Sequence, residues 1–410
     1  MLKKNIILLV FTFFFMLKVH AQSNNLAIIN VKIYPAPDVD PISNGTIIIE
    51  QGKITCVGDF TKVKVPQDYK IIDGKGKVAT AAFWNSHVHF TETYWQNSDK
   101  ISKEKLEGYL KKMLTGYGFA YAFDLAELDF ENLNNLRERI NLGELDGPTI
   151  LSVGIPFTSK SPYYIQPAVL PELKSITGVS EHIKEQLANG ANGIKIWSGS
   201  PTGNAIEYMP GDLIRLAGEI CKSNHVPLFA HPSSTLGVEM AVDNGVNILA
   251  HTSPDDKKNW EPALVEKMIS NNVCLIPTLN LFKWELEQDG INNLEDPLIK
   301  TSINQLKDFA SEGGGVLFGT DVGYMTEYNT TYEYILMAKA GMDFNQILAT
   351  LTTNPAKIFG HESETGKIEV GMKADLVILE RDPILDIKNF AEVKYTFKDG
   401  KCIYNKNLDD

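Results

Sequence analysis

The stretch Ala81-Ala82-Phe83-Trp84-Asn85-Ser86-His87-Val88-His89-Phe90 opens the central part of the chain. Its small and apolar residues predict a buried strand that ends in two histidines, one residue apart. Side chains at positions i and i+2 of a strand point to the same side. His87 and His89 are therefore expected to converge at the carboxyl end of this strand, where two imidazoles can begin a divalent-metal site. A His-x-His pair alone is weak evidence for a metal, so the rest of the chain has to decide.

Downstream of this strand, short apolar segments alternate with amphipathic segments, which is typical of a parallel β/α architecture. Eight strands are predicted, the number found in a (β/α)8 TIM barrel. The predicted strands are 81–90, 119–124, 149–154, 193–197, 226–231, 247–251, 273–278 and 315–321, and the predicted helices are 103–117, 131–142, 179–189, 211–223, 236–244, 261–271 and 297–312.

Both ends of the chain alternate in a β manner, from about residue 26 to 72 and again from 374 to 404. Neither end can form a two-sheet domain by itself, so we expect one small β-sandwich built from both termini. The expected boundaries are 22–80 and 366–410 for the two parts of this sandwich domain, and 81–365 for the barrel.

The first 21 residues predict a signal peptide. Lys3 and Lys4 are followed by an apolar run from residue 6 to 17, and Val19-His20-Ala21 has the small-x-small form of a cleavage site. An uncleaved membrane anchor is the alternative, although the apolar run is short for a bilayer span. We therefore expect an exported protein, periplasmic or secreted, with no stable membrane insertion after cleavage.

The composition of the chain limits the classes of partner that it can bind. A formal charge of −12 without a long basic run argues against binding to nucleic acid or to an anionic membrane. The four cysteines show no CxxC spacing, and whether Cys56 and Cys402 pair is left open, as is assembly into a homo-oligomer.

Active sites of TIM barrels lie at the carboxyl ends of the strands, and six potential metal ligands are predicted there. They are His87, His89, Lys195, His231, His251 and Asp321. Four neutral imidazoles and one carboxylate can hold one or two divalent ions of the zinc class.

Lys195 and Asp321 are expected to do more than bind a metal as simple side-chain ligands. Lys195 has no lone pair as an ammonium, but a buried neutral amine could react with carbon dioxide to form a carbamate that bridges two metals. The alternative is a buried amine that contacts substrate beside a single metal. Asp321 is expected to be a ligand and the general base, because a metal lowers the pKa of its water to about 7.

Several phrases of the sequence together resemble the amidohydrolase superfamily over nearly all of the chain after the first 21 residues. The phrases are Asn85-Ser86-His87-Val88-His89, Gly193-Ile194-Lys195-Ile196, Phe229-Ala230-His231, Leu249-Ala250-His251, Gly319-Thr320-Asp321 and two late segments, 353–360 and 366–377. Within it, Phe123-Asp124-Leu125 and residues 147–154 resemble the branch of imidazolonepropionase-like proteins and Xaa-Pro or Xaa-Arg dipeptidases.

The resemblance implies a ligand arrangement. His87, His89 and Asp321 would bind the more buried metal, and a carbamate on Lys195 would bridge to a second metal. His231 and His251 would bind that second metal. The chain departs from the family pattern at Asn85, where an aspartate is usual, and this change is expected to tune metal affinity without removing a ligand.

The predicted function is metal-dependent hydrolysis of an amide C–N bond other than a peptide bond, in a small cyclic or peptide-like molecule with apolar or aromatic groups. Aromatic residues near the predicted strand ends are expected to contact it: Tyr94, Tyr163, Tyr164, Trp197 and Tyr324. A dipeptidase is the alternative, with Lys160 or Lys283 rather than an arginine to hold a free carboxylate. A lactonase or esterase is also left open. A deaminase or an exported binding protein is less favoured, the deaminase because Glu239 is the first acid after His231.

Overall fold

The computed structural model describes residues 25–409. The predicted signal peptide at 1–21 lies outside the described residues, and export stays a prediction. Among residues 25–409, no helix combines the length and the apolar character that a membrane span requires.

The strands from the two ends of the chain pair with one another in a single eight-stranded sheet. Its strands are β1 (Leu26–Ile33), β2 (Ile42–Glu50), β3 (Lys53–Asp59), β4 (Lys70–Asp73), β5 (Val78–Ala81), β16 (Leu376–Leu379), β17 (Val393–Lys398) and β18 (Lys401–Asn405). Their order is β18-β17-β16-β5-β1-β2-β3, with β4 beside β1. Residues 376–379 pair antiparallel with residues 78–81, so the two termini meet at this junction.

The predicted β-sandwich is not shown by this pairing, which is continuous from β18 to β3. Apolar residues in a strand predict burial, and that signal is the same whether the strands belong to one sheet or to two. Ile28, Ile47, Ile49, Leu376 and Phe397 form part of one buried apolar cluster.

The central strands are parallel and lie in two sheets. The strands are β6 (Phe83–Val88), β7 (Phe119–Asp124), β8 (Thr149–Ser152), β9 (Ile194–Trp197), β12 (Leu228–His231), β13 (Ile248–Ala250), β14 (Cys274–Ile276) and β15 (Gly315–Val316). They pair as β6-β7-β8 and as β15-β14-β13-β12-β9. A small hairpin, β10 (Gly199–Pro201) with β11 (Ile206–Tyr208), follows β9.

Backbone hydrogen bonds connect the two central sheets on both sides. Ser86 donates its N–H to the carbonyl of Phe318 at 2.7 Å, and Phe157 donates its N–H to the carbonyl of Lys195 at 3.2 Å. All eight predicted central strands are present, but as sheets of three and five strands, so the closed TIM barrel itself stays a prediction.

Helices follow most of the central strands. They are α1 (Lys103–Met113), α2 (Phe130–Asn141), α3 (Ile176–Ala188), α4 (Gly211–Ser223), α5 (Thr235–Asp243), α6 (Pro262–Ser270), α7 (Leu279–Gln288), α8 (Pro297–Ser311), α9 (Thr331–Lys339), α10 (Phe344–Leu351), α11 (Thr353–Ile358) and α12 (Lys406–Asp409). The seven predicted helices are present, whereas α7 and α9 to α12 were not predicted.

Local sequence explains where several of these helices begin. The side chains of Ser175, Ser234 and Asp296 accept hydrogen bonds from the first backbone N–H groups of α3, α5 and α8, and Pro297 occupies the first turn of α8. These capping residues define where the helices begin, and so where the connecting segments after the preceding strands end.

Candidate metal centre

His87 and His89 converge as the strand geometry predicts. Their Nε2 atoms lie 3.2 Å apart on the carboxyl side of β6. Asp321 approaches them from the segment after β15, where its backbone takes a left-handed conformation with φ of 65° and its N–H donates to the carbonyl of His87. Its Oδ1 lies 2.7 Å from His89 Nε2 and 3.1 Å from His87 Nε2.

The remaining predicted ligands lie around the same point. The ring of His251 is 4.6 Å from that of His87 and 4.7 Å from that of His231, centroid to centroid. His251 Nε2 is 4.0 Å from Asp321 Oδ2. Lys195 is buried within β9. All six predicted ligands line one cavity of about 850 Å³, and the ligand atoms of His87, His251 and Asp321 lie within 4.8 Å of one another.

Burial decides the protonation of the imidazoles. It lowers the pKa of His87 to about 4 and the pKa values of His231 and His251 well below their usual range. Burial would raise the pKa of Asp321, but its interactions with His87 and His89 hold it well below the usual range. At neutral pH His87, His231 and His251 are therefore neutral and Asp321 is ionised, which are the forms that bind metals.

Hydrogen bonds on the far side of two rings fix which nitrogen faces the cavity. His89 donates Nδ1–H to the carbonyl of Ala126 at 3.3 Å, because a carbonyl can only accept. His251 donates Nδ1–H to Thr278 Oγ1 at 2.6 Å, since that hydroxyl donates its own proton to the carbonyl of Pro277. Each Nε2 therefore carries a lone pair towards the cluster.

This donor set fits a metal ion. His89 Nε2 and Asp321 Oδ1 both turn lone pairs towards their 2.7 Å contact, so a cation bound to the two atoms would satisfy both. Tetrahedral ligands of a zinc-class ion at about 2.1 Å lie roughly 3.4 Å from one another. The separations of 2.7 to 3.2 Å among the three atoms are close to this spacing.

Lys195 lies within the same group. Burial lowers the pKa of its amine to about 8, against the opposing charges of Asp321 and Asp124. A larger fraction of the amine is therefore neutral at neutral pH than for an exposed lysine. The structure leaves both predicted roles of Lys195 in place, bridging carbamate or buried amine.

Asn85, the departure from the family pattern, is fully buried and bonds to both ligand-bearing segments. Its Nδ2 donates to Thr320 Oγ1 at 2.8 Å, and its Oδ1 accepts from the N–H groups of Thr320 and His87 at 3.2 and 3.3 Å. Asn85 thus fixes the strand carrying His87 against the segment carrying Asp321.

Four of the five predicted aromatic contacts line the cavity, namely Tyr163, Tyr164, Trp197 and Tyr324. Tyr94 does not. Its hydroxyl is hydrogen-bonded to Glu92 and to the hydroxyl of Tyr328, and its ring packs on Trp95. Closeness to His89 in sequence did not determine the direction of this side chain.

Sequence reasoning missed three polar residues of this site: Asp255, Thr278 and Glu285. Asp255 and Glu285 line the cavity, and Thr278 orients His251. Glu285 lies on α7, whose Leu279, Phe282 and Leu286 have helical spacing and could have revealed the helix.

The comparisons with known proteins identify the family of the chain. The model of the amidohydrolase family matches residues 78–403, and the chain belongs to this family of metal-dependent hydrolases that act on C–N bonds.

Individual relatives are distant in sequence and match about nine-tenths of the chain. Ochratoxinase of Aspergillus niger is 22% identical over 89% of this chain and 84% of its own length. Imidazolonepropionase of Fusobacterium nucleatum is 21% identical over 89% of this chain and 92% of its own length. The crystal structure of a Xaa-Pro dipeptidase with bound methionine superposes with a TM-score of 0.79, at 19% identity over 93% of this chain and all of that one. At this level of identity the structural likeness shows a shared fold.

Proposed function

We propose that the protein hydrolyses an amide C–N bond in a small cyclic or peptide-like molecule with apolar or aromatic groups. The observation that carries the proposal is the convergence of His87, His89, Lys195, His231, His251 and Asp321 on one aromatic-walled cavity. The proposal includes a closed (β/α)8 barrel, because only strands arranged around a common axis bring all their carboxyl ends to one mouth.

The ligands divide into two groups in this proposal. His87, His89 and Asp321 would hold one divalent ion, His231 and His251 would hold a second, and Lys195, as a carbamate, would contribute to both. A bound ion of this class polarises a carbonyl oxygen and lowers the pKa of water to about 7.

Asp321 is the proposed general base. Its Oδ1 faces both His87 and His89, whereas its Oδ2 faces His251 only at 4.0 Å. Oδ2 is therefore the oxygen that can take a proton from the attacking water and pass it to the leaving nitrogen. The low pKa of this carboxyl keeps it ionised and ready to accept at neutral pH.

The walls of the cavity favour an apolar or aromatic substrate. Trp197 donates Nε1–H to Tyr164 Oη at 2.9 Å, and Tyr164 lies 5.9 Å from the ring of Tyr324. These rings form a continuous surface from the neighbourhood of His231 outwards, since Trp197 stacks on His231 at 5.5 Å. An aromatic group on the substrate would pack along this surface.

The dipeptidase alternative needs a cation for the substrate carboxylate, and the two lysines predicted for that role are engaged elsewhere. Lys160 pairs with Glu172 at 3.0 Å, and Lys283 pairs with Glu287 at 2.8 Å. Neither lines the cavity. This pairing favours amides without a free carboxylate over ordinary dipeptides.

A substrate panel tests the proposal. The metal-loaded protein is assayed with N-acyl anilides, cyclic amides, lactones and free-carboxylate dipeptides, beside an Asp321→Asn variant. We expect turnover of the amides, and a loss of at least about 100-fold in kcat for the variant with its thermal unfolding little changed. Preference for dipeptides or lactones would contradict the assignment.

Export is a further part of the proposal and rests on residues 1–21. The amino-terminal sequence of the protein recovered from the cell exterior or periplasm is expected to begin near Gln22. An intact Met1 on protein retained in the cytoplasm would contradict it.

A further inference from the structure

The cavity contains a carboxylate that the proposed reaction does not use. Glu285 lies on α7 and lines the cavity on the side of Tyr324. Tyr324 donates its hydroxyl to Glu285 Oε1 at 3.2 Å. In the described part of the chain, the side-chain hydrogen bonds of Glu285 use Oε1 alone, which leaves Oε2 able to accept from a ligand.

Tyr324, the hydrogen-bond partner of this carboxylate, belongs to a group of aromatic rings. Tyr324 lies 5.8 Å from Trp284 and 5.9 Å from Tyr164, centroid to centroid. The faces of such rings attract cations within about 6 Å, and an adjacent carboxylate adds a charged acceptor. A carboxylate among tyrosine and tryptophan rings is the environment that an ammonium or guanidinium group prefers.

The charged side chains that line the cavity also favour a cationic ligand. Asp255 also lines the cavity. Among the described residues lining the cavity, Lys195 is the one lysine, it is buried within β9, and no arginine contributes. A carboxylate on the substrate would meet Asp255 and Glu285 without a compensating cation, whereas a protonated base would meet two acceptors.

We infer that the substrate carries a protonated amine or guanidine that binds Glu285, while its amide bond lies at the cluster of His87, His89 and Asp321. This inference rests on the proposed function and narrows its substrate class to basic amides. The aromatic surface of Tyr324, Tyr164 and Trp197 connects the two places, so the portion of substrate between its charge and its scissile bond is apolar.

Three anilides of equal chain length test the inference. They are 6-aminohexanoyl-4-nitroanilide, hexanoyl-4-nitroanilide and 5-carboxypentanoyl-4-nitroanilide, which differ only in the terminal group. We expect kcat/KM to be highest for the amine and lowest for the carboxylate. In Glu285→Gln, the ratio of kcat/KM for the amine to that for the neutral anilide should fall roughly 10- to 100-fold, the loss expected for a hydrogen bond between charged groups.

The matched control is Glu287→Gln, which removes one charge from the same helix at a side chain that pairs with Lys283. It should leave the ratio unchanged. A wild-type preference for the neutral or carboxylate anilide, or an equal change of the ratio in both variants, would overturn the inference.

A binding measurement separates this inference from the proposed function. Failure to cleave all three anilides counts against the proposed function. The charge preference is then decided by the affinities of benzylamine and benzyl alcohol, followed by tryptophan fluorescence, because binding needs no turnover. Tighter binding of benzylamine that is lost in Glu285→Gln supports the inference, and equal binding of the two overturns it.

Discussion

Thr278 provides a sharp test of how the protein prepares His251 for a metal. Its hydroxyl accepts Nδ1–H of His251 at 2.6 Å and donates to the carbonyl of Pro277 at 2.9 Å. The residue is fully buried and has a left-handed backbone with φ of 44°. Thr278→Val keeps the branched shape, and therefore the backbone strain, but removes the acceptor that selects the tautomer of His251.

The expected loss of metal affinity follows from the hydrogen bond between Thr278 and His251. Loss of a hydrogen-bond partner behind a metal-binding histidine weakens metal affinity about 10- to 100-fold, or about 1.4 to 2.8 kcal/mol. The lost bond to Pro277 should also lower the free energy of unfolding of the metal-free protein by about 1–2 kcal/mol. Zinc affinity is measured by competition with a chromogenic chelator, and stability by urea unfolding.

The control variant is Thr396→Val. Thr396 is also fully buried and donates to the backbone carbonyl of Thr115 at 2.6 Å, but it lies in the terminal sheet on β17. We expect a similar loss of stability and unchanged zinc affinity. The reasoning is refuted if Thr278→Val binds zinc as tightly as the wild type, or if Thr396→Val weakens zinc binding equally.

Three further predictions follow from the same geometry. Glu333 is buried and accepts the N–H groups of Leu279 and Asn280 at 3.0 and 2.7 Å. Glu333→Ala should therefore lower the free energy of unfolding by about 2–4 kcal/mol in urea titrations, because two buried donors lose their acceptor; a loss below 1 kcal/mol would contradict this. Burial lowers the pKa of His87 to about 4, so protons compete with zinc for this ligand in acid and zinc affinity should fall as the pH drops from 6 to 4. Equal zinc affinity at pH 6 and pH 4 would contradict this. Burial, together with the charges of Asp255 and Asp321, raises the pKa of Glu285 to about 7, so Glu285 is neutral below that pH. The preference for the amine anilide over its neutral analogue should accordingly increase as pH rises through about 7; a preference that falls over this range would have the wrong sign.

The sequence predicted that the candidate ligands lie close together because four of the six lie at, or one residue from, the end of a strand whose apolar run is easy to recognise. His231 ends β12, and His89 and His251 come within one residue of the ends of β6 and β13. Parallel strands place those ends on one side of a sheet, so position along the chain was enough to predict proximity in space.

Other features depended on contacts between distant segments. The terminal strands were predicted, but the sequence could not show that β5 and β16 pair into a continuous sheet, because register is set between segments about 300 residues apart. Tyr94 was expected in the cavity, and its direction is decided by hydrogen bonds to Glu92 and Tyr328. Glu285 was missed because α7 was not recognised as a helix, so the side of the chain facing the cavity was unknown.

The metal content of the purified protein is the most direct test of the central claim, that side chains on or shortly after five strands form one metal centre. Elemental analysis of the zinc-loaded, desalted wild type should give one or two ions per chain. His87→Ala combined with His89→Ala should remove at least one ion while the circular dichroism spectrum stays that of the wild type. A folded wild type without bound metal, or a double variant with undiminished content, would contradict the claim.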